Sequence, residues 1–324
     1  MISELTILNL LRADLQRVEQ KMRSMGEKAY GPLADAFLHL LGSGGKRLRP
    51  ALALAAYGFF AAPASEGAIA MAAAVETLHT ATLVHDDLID GAAVRRGRTT
   101  LNATWGKGAV VLAGDYLFAR AAGFAAETES IPVVQLFADT LRIICEGELR
   151  QLFSSRQWRQ PKDTYYPRIF AKTASLFAAA TRSGAILGGA SAEQEQALYD
   201  YGYHLGMAFQ IVDDILDYSG DETTLGKPVG GDLRQGIVTL PFYYFLQAQP
   251  DPEPIIARLE ASEDGGDGIG AVVAQIRASD AVAQAFEEAR GFAARAKSDL
   301  ARLPPCPFQT PLAELADFTI ARHV

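Results

Sequence analysis

Apolar side chains recur at every third or fourth position over most of this chain. Between residues 2 and 23, Leu5, Leu8, Leu11, Leu15 and Val18 keep that spacing, which lines one face of an α-helix. Alanine-rich stretches follow at 50–62, 66–90 and 109–127, and alanine is the strongest helix former. The same periodicity predicts helices over 131–156, 163–190 and 192–218. Shorter ones are predicted over 237–248, 252–262, 268–278, 280–302 and 310–322. Glycine and proline punctuate these segments at Gly42–Gly45, Gly91, Gly106–Gly108, a long polar loop Gly220–Gly236, Asp264–Gly270 and Leu303–Pro307. No alternating apolar–polar runs flank Asn-Gly or Asp-Gly turns, so strands are not expected. The expected fold class is all-α. No low-complexity linker divides the chain, and its polar motifs are scattered from residue 44 to 239, so one domain over residues 1–324 is expected.

Two acidic clusters interrupt the helical pattern. Asp86-Asp87-Leu88-Ile89-Asp90 and Asp213-Asp214-Ile215-Leu216-Asp217 both read DDxxD, and each closes a long apolar helical segment. On a helix, residues four apart share a face, so Asp86 lies beside Asp90 and Asp213 beside Asp217. Like charges at that spacing repel, and acids at a helix C-terminus oppose the macrodipole by about 0.3–1 kcal/mol each. One such cluster is commonly a solvated helix end; two in one chain call for a cation. Magnesium, a hard ion that bridges carboxylates to substrate phosphates, answers that need. An EF-hand is excluded, because neither cluster has the alternating oxygen ligands, mid-loop glycine and late glutamate.

Basic residues lie close by in sequence. Gly44-Gly45-Lys46-Arg47-Leu48-Arg49-Pro50 places glycines and cations at a helix start, where backbone amides favour an anion. Arg95 and Arg96 follow the first acidic cluster, and guanidinium forks match phosphate oxygens in pairs. Lys172-Thr173 falls inside an apolar helical run, where an unpaired lysine would be costly. Gln210 shares a helix face with Asp213, and His79 lies two turns before Asp86. Lys227 sits in a glycine-rich loop of the kind that gates active sites.

Bulk properties narrow the function. The net charge of −8 argues against a nucleic-acid binder. Two cysteines, Cys145 and Cys306, form no CxxC pair or disulfide framework, which fits a cytoplasmic protein. The N-terminus lacks the basic start and cleavage site of a signal peptide. The most apolar stretch, Ala68–Val84, is interrupted by Glu76 and His79, so no transmembrane segment is expected.

Taken in order, GGKRLRP (44–50), ETLHTATLVHDDLIDGAAVRRGRTTLNATWG (76–106), GDYLFARA (114–121), GELRQ (147–151), KTASLF (172–177) and GMAFQIVDDILDYSGDETTLGKPVGGDLRQGIVTLP (206–241) resemble the trans-isoprenyl diphosphate synthases, also called polyprenyl synthetases. The resemblance covers residues 40 to 245. It implies a single large helical bundle around a central cavity, of the isoprenoid synthase type. It implies condensation of isopentenyl diphosphate with an allylic diphosphate, with three Mg²⁺ ions led by Asp86, Asp90 and Asp213 and completed by Asp87, Asp214 and Asp217. Lys46, Arg49, His79 and Arg96 would hold isopentenyl diphosphate; Arg95, Lys172, Thr173, Gln210 and Lys227 would contact the allylic diphosphate. Thr173 and Gln210 would also steady the allylic cation. Gly231 departs from the pattern, because many relatives carry a lysine there, which leaves more of the loop's role to Lys227.

In that family the fifth and fourth residues before the first aspartate form a floor for the growing tail. Here they are Ala81 and Thr82, both small, so the resemblance implies a long-chain product of about C30–C40, as in heptaprenyl and octaprenyl synthases that supply quinone side chains. It also implies at least a homodimer, and some heptaprenyl synthases need a small non-homologous second subunit as well. Three other activities fit the motifs less well. A farnesyl or geranylgeranyl synthase would make a shorter chain. A class I terpene cyclase would leave GGKRLRP and Arg95-Arg96 without a task. A non-catalytic subunit would often have lost one acidic cluster, and both are whole here.

Overall fold

The computed structural model describes residues 5–27, 29–42, 45–95, 97–219, 229–262 and 268–321. They are helical almost throughout, as the periodicity predicts. The chain divides into two compact units. One comprises residues 1–140, 176–202 and 300–314; the other comprises 141–175, 203–299 and 315–324.

The first unit is built on α5 (Glu66–Ile89). Ser65 caps it by accepting the Ala68 N–H, which satisfies one of the amides left unpaired at a helix start. Its first half, from Ala68 to Leu78, is buried on every side, the signature of a central helix rather than an amphipathic surface one. Around it pack α2 (Arg12–Glu27), α4 (Leu48–Tyr57) and α7 (Lys107–Ala126). Small residues permit the approach: a Cβ at Gly114 on α7 would come within 2.1 Å of the His85 ring on α5.

The structure departs from the periodic reading in four places. The predicted helix over 2–23 breaks at Leu11 into α1 (Thr6–Leu10) and α2. A further helix, α3 (Gly31–Gly42), forms where no helix was expected. Its Pro32 reads as a breaker in sequence, yet it falls in the first turn, where no intrahelical N–H is missed. Val94–Arg95 pairs antiparallel with Arg98–Thr99, and Gly97 at φ +73 turns this short hairpin. The stretch 163–190 is not one continuous α-helix. It runs as α9 (Tyr165–Ile169), a π-helical turn Phe170–Ala174, and α10 (Ser175–Gly188).

The second unit centres on the distal part of α11 (Ala192–Ser219). Its apolar core includes Trp158, Tyr218, Leu233, Phe242, Ile256 and Val272. Gly230 stands at φ +73, and a Cβ there would meet Val273 at 2.3 Å. Only glycine fits a position that combines a left-handed backbone with so close a wall.

Candidate active site

The first acidic cluster closes α5. Asp86 is half-buried and Asp90 is exposed, whereas Asp87 is only 6% exposed. The Asp87 carboxylate accepts a hydrogen bond from Arg95 Nε at 2.6 Å. Burial pushes the Asp87 carboxyl up from its ordinary pKa; Arg95 opposes the rise and the charge of Asp90 adds to it. Arg95, expected to meet a diphosphate, is thus also the countercharge of the middle aspartate, brought there by the β-hairpin.

The second cluster closes α11 and repeats the division. Asp213 is half-buried, while Asp214 and Asp217 are 4% and 7% exposed. Asp217 accepts the backbone N–H groups of Gly231 and Asp232 at 3.1 and 3.0 Å, so it anchors the chain where it returns after the loop. Asp214 accepts from Gln210 Nε2 at 2.7 Å and from the Tyr165 hydroxyl at 2.8 Å. Burial, and then the charge of Asp232, raise its pKa to about 7 against those two hydrogen bonds. Burial and the Asp214 charge push the Tyr165 phenol well up, which keeps it a donor. Asp87, Asp214 and Asp217 are buried on protein donors, and Asp86, Asp90 and Asp213 are more open to solvent.

Lys172 and Thr173 lie on the π-helical turn, a feature that often marks functional sites. Within the apolar run Lys172 is exposed and Thr173 is buried, so the lysine is spared the desolvation cost of a buried ammonium. The Thr173 hydroxyl donates to Gln210 Oε1 at 2.5 Å. Two residue roles went unread in the sequence. Tyr165 carried no motif signal beyond its place seven residues before Lys172. Arg47, at the centre of the basic turn, points to the protein's own carboxylates. It pairs with Glu76 at 2.8 Å and Glu19 at 3.3 Å and adopts φ +48. Its neighbours Lys46, Arg49 and His79 are half-buried, and the Arg49 guanidinium lies 4.8 Å from the centre of the Phe177 ring. Ala81 is fully buried, and Thr82 donates to the His79 carbonyl. Arg96 and Lys227 lie outside the described residues, as do Gly44 and most of the loop after the second cluster.

Among the described residues no three acidic, histidine or cysteine side chains converge into a ready-made metal cage. That donor set still suits magnesium, which takes one or two carboxylates and completes its octahedron with water and substrate phosphate. Asp86 with Asp90, and Asp213 on its own helix, offer hard oxygen donors of that kind.

The polyprenyl synthetase family model matches residues 31–272. The chain is 41% identical to heptaprenyl diphosphate synthase component 2 of Geobacillus stearothermophilus, over 86% of each chain. It is 35% identical to octaprenyl diphosphate synthase of Haemophilus influenzae, over 98% of this chain and 96% of that one. Among solved structures it resembles a decaprenyl diphosphate synthase from Rhodobacter capsulatus, with a TM-score of 0.91, 36% identity and 98% of both chains covered. A polyprenyl synthase from Caulobacter crescentus, in complex with calcium and isoprenyl diphosphate, gives a TM-score of 0.91 at 37% identity, over 98% of this chain and 97% of that one.

Proposed function

The chain belongs to the polyprenyl synthetase family, and on that premise we propose that it condenses isopentenyl diphosphate with an allylic diphosphate to build a long polyprenyl diphosphate. The long-chain relatives support the product class. The observation that carries the reading is the repeated division of the acidic clusters. Each closes an apolar helix with a solvent-reaching leading aspartate and a middle aspartate fixed by the protein.

Asp86, Asp90 and Asp213 hold the metal, which we take to be magnesium, three ions in all. Bound there, magnesium supplies Lewis-acid charge for ionisation of the allylic C–O bond. Calcium in the Caulobacter complex is a hard divalent ion of the same ligand class and supports a carboxylate–diphosphate site. Arg95, Lys172 and Lys227 bind the allylic diphosphate that leaves with the C–O electron pair. Lys46, Arg49, His79 and Arg96 hold isopentenyl diphosphate, whose double bond attacks the allylic carbon. A new C–C bond forms, and the proton lost from the isopentenyl unit passes to the released diphosphate. Thr173 and Gln210 face the developing cation with oxygen lone pairs. The small residues Ala81 and Thr82 leave the tail room to pass C20, giving C30–C40 for quinone side chains. Both units act as one catalytic domain, because the family match runs through both.

Assembly is proposed as a homodimer. On α7 and the start of α8 (Ile131–Ser154), Val111, Leu112, Ile131 and Val134 are exposed, Leu112 at 68% and Ile131 at 72%. By length and composition α5 and α7 would suffice to cross a membrane, but the apolar stretch of α5 is mostly buried, and we assign the exposed face of α7 to a second copy. The Geobacillus relative is named a component 2, which supports a small second subunit in addition; prenyl transfer by the isolated chain, then with candidate subunits added, tests for it. Two unpaired cysteines accord with a reducing cytoplasm.

The deciding experiment is mass analysis of products from the purified chain with farnesyl diphosphate, isopentenyl diphosphate and Mg²⁺. Polyprenyl diphosphates of about C30–C40 are expected. Products ending at C20 or below would move the chain to the short-chain synthases. A cyclic hydrocarbon formed without isopentenyl diphosphate would make it a cyclase.

A further inference from the structure

We propose that Tyr165 and Asp214 are positioning residues that fix the Gln210 amide and thereby make Thr173 a pure acceptor toward the allylic carbon. This rests on the prenyl-transfer reading and assigns Asp214 to the protein rather than to the metal.

Four side chains of the second unit form one line of hydrogen bonds. The Tyr165 hydroxyl donates to Asp214 Oδ2 at 2.8 Å, Gln210 Nε2 donates to Asp214 Oδ1 at 2.7 Å, and the Thr173 hydroxyl donates to Gln210 Oε1 at 2.5 Å. Every proton in the line points toward the Asp214 carboxylate. A glutamine amide can be turned over, exchanging its donor and acceptor ends. Turned over here, it would set Gln210 Oε1 against Asp214 Oδ1, two acceptors at hydrogen-bond distance. The acid thus selects the orientation observed. Once that is set, the Thr173 proton is committed to Gln210, and only lone pairs remain on its oxygen. A hydroxyl with its proton unassigned could instead donate to the substrate diphosphate and would present positive charge to a cation.

Tyr165 makes the selection firm. It is fully buried, ringed edge-on by Tyr166 and Tyr243, and it occupies the second oxygen of Asp214. Both Asp214 oxygens are therefore taken by protein donors in a buried site, a poor state for an inner-sphere ligand of a strongly hydrated ion. The π-helical turn at Phe170–Ala174 places Thr173 at the open end of the line.

The test compares wild type with Tyr165→Phe, Thr173→Val, Asp214→Asn and the Tyr165→Phe/Thr173→Val double variant of the full chain. Rates come from single-turnover assays with radiolabelled isopentenyl diphosphate, which read very slow reactions. Mn²⁺ binding in the presence of inorganic pyrophosphate is followed separately by electron paramagnetic resonance. Tyr165→Phe is expected to slow the chemical step roughly tenfold, the weight of one hydrogen bond to a charged group, with KM for isopentenyl diphosphate unchanged. In the Thr173→Val background the same change is expected to alter the rate by less than about twofold, because coupled residues are not additive. Asp214→Asn is expected to leave the Mn²⁺ half-saturation point in place. Equal slowing of wild type and Thr173→Val by Tyr165→Phe would overturn the relay, as would a roughly tenfold weakening of Mn²⁺ binding in Asp214→Asn, which would return that acid to the metal shell. A wild-type chain that binds Mn²⁺ with pyrophosphate yet forms no prenyl product would overturn the prenyl-transfer reading, and the relay's catalytic role with it.

Discussion

The two acidic clusters share one motif and bury their middle acids by different means. Asp87 is met by a cation, Arg95, eight residues along the chain and still partly exposed. Asp214 is met by neutral donors, one of them a tyrosine forty-nine residues away and wholly enclosed. A carboxylate beside an arginine is compensated charge for charge. One held by a phenol and an amide has its charge opposed by a low-dielectric interior, and its raised pKa records the cost. The same five-letter pattern thus gives one cluster stapled locally to its own hairpin, and another wired to the segment that carries Thr173.

The largest effects should come from what the clusters have in common. Asp86→Asn and Asp213→Asn are each expected to lower turnover by about 10²–10³-fold, the usual loss when one electrostatic stabiliser is removed, measured as isopentenyl incorporation. A variant at either position with near-normal turnover would break the parallel between the clusters. Ala81→Phe, which alters the first helix alone, is expected to shorten the product while leaving prenyl transfer intact. Unchanged chain length in the mass spectrum would remove Ala81 from the floor of the tail site.

The next effects separate the clusters. Asp214→Ala leaves the Tyr165 hydroxyl buried without its acceptor and should cost about 1–3 kcal/mol of stability. Asp87→Ala leaves a partly exposed arginine and should cost at most about 1 kcal/mol. Denaturant midpoints decide; equal losses would erase the distinction drawn here. The smallest signal is a slope. A carboxyl whose folded pKa stands at about 7 binds its proton more tightly folded than unfolded. Its contribution is complete below the unfolded value near 4 and is lost as pH rises to 7, then stays level. Metal-free wild type should therefore lose stability across that window, and Asp214→Asn should flatten the decline. An unaltered slope would place the titration elsewhere.

How much of this was legible beforehand follows the range of the interactions. The helices of the core announce themselves through local periodicity and alanine content, and the DDxxD spacing sets each pair of acids on one helix face without further information. The family resemblance supplied the candidate ligands. The tasks of individual residues within a motif were not readable. Lys46, Arg47 and Arg49 look equivalent in the basic turn, yet Arg47 turns inward because Glu76, buried on α5, needs its charge. Lys172 falls in an apolar run, yet on the π-helical turn it is exposed, which the run alone does not reveal. The partner of Asp214 is fixed by tertiary packing that no window of sequence contains.

A crystal structure of the chain with Mg²⁺ and a thiolo analogue of an allylic diphosphate would test the central claim most directly. We expect metal ions on Asp86, Asp90 and Asp213, all touching the analogue's diphosphate, with Asp87 still on Arg95 and Asp214 still on Tyr165 and Gln210. Metal bound through Asp87 and Asp214 instead, with Asp86 and Asp213 making no contact to the analogue's metal ions, would contradict it.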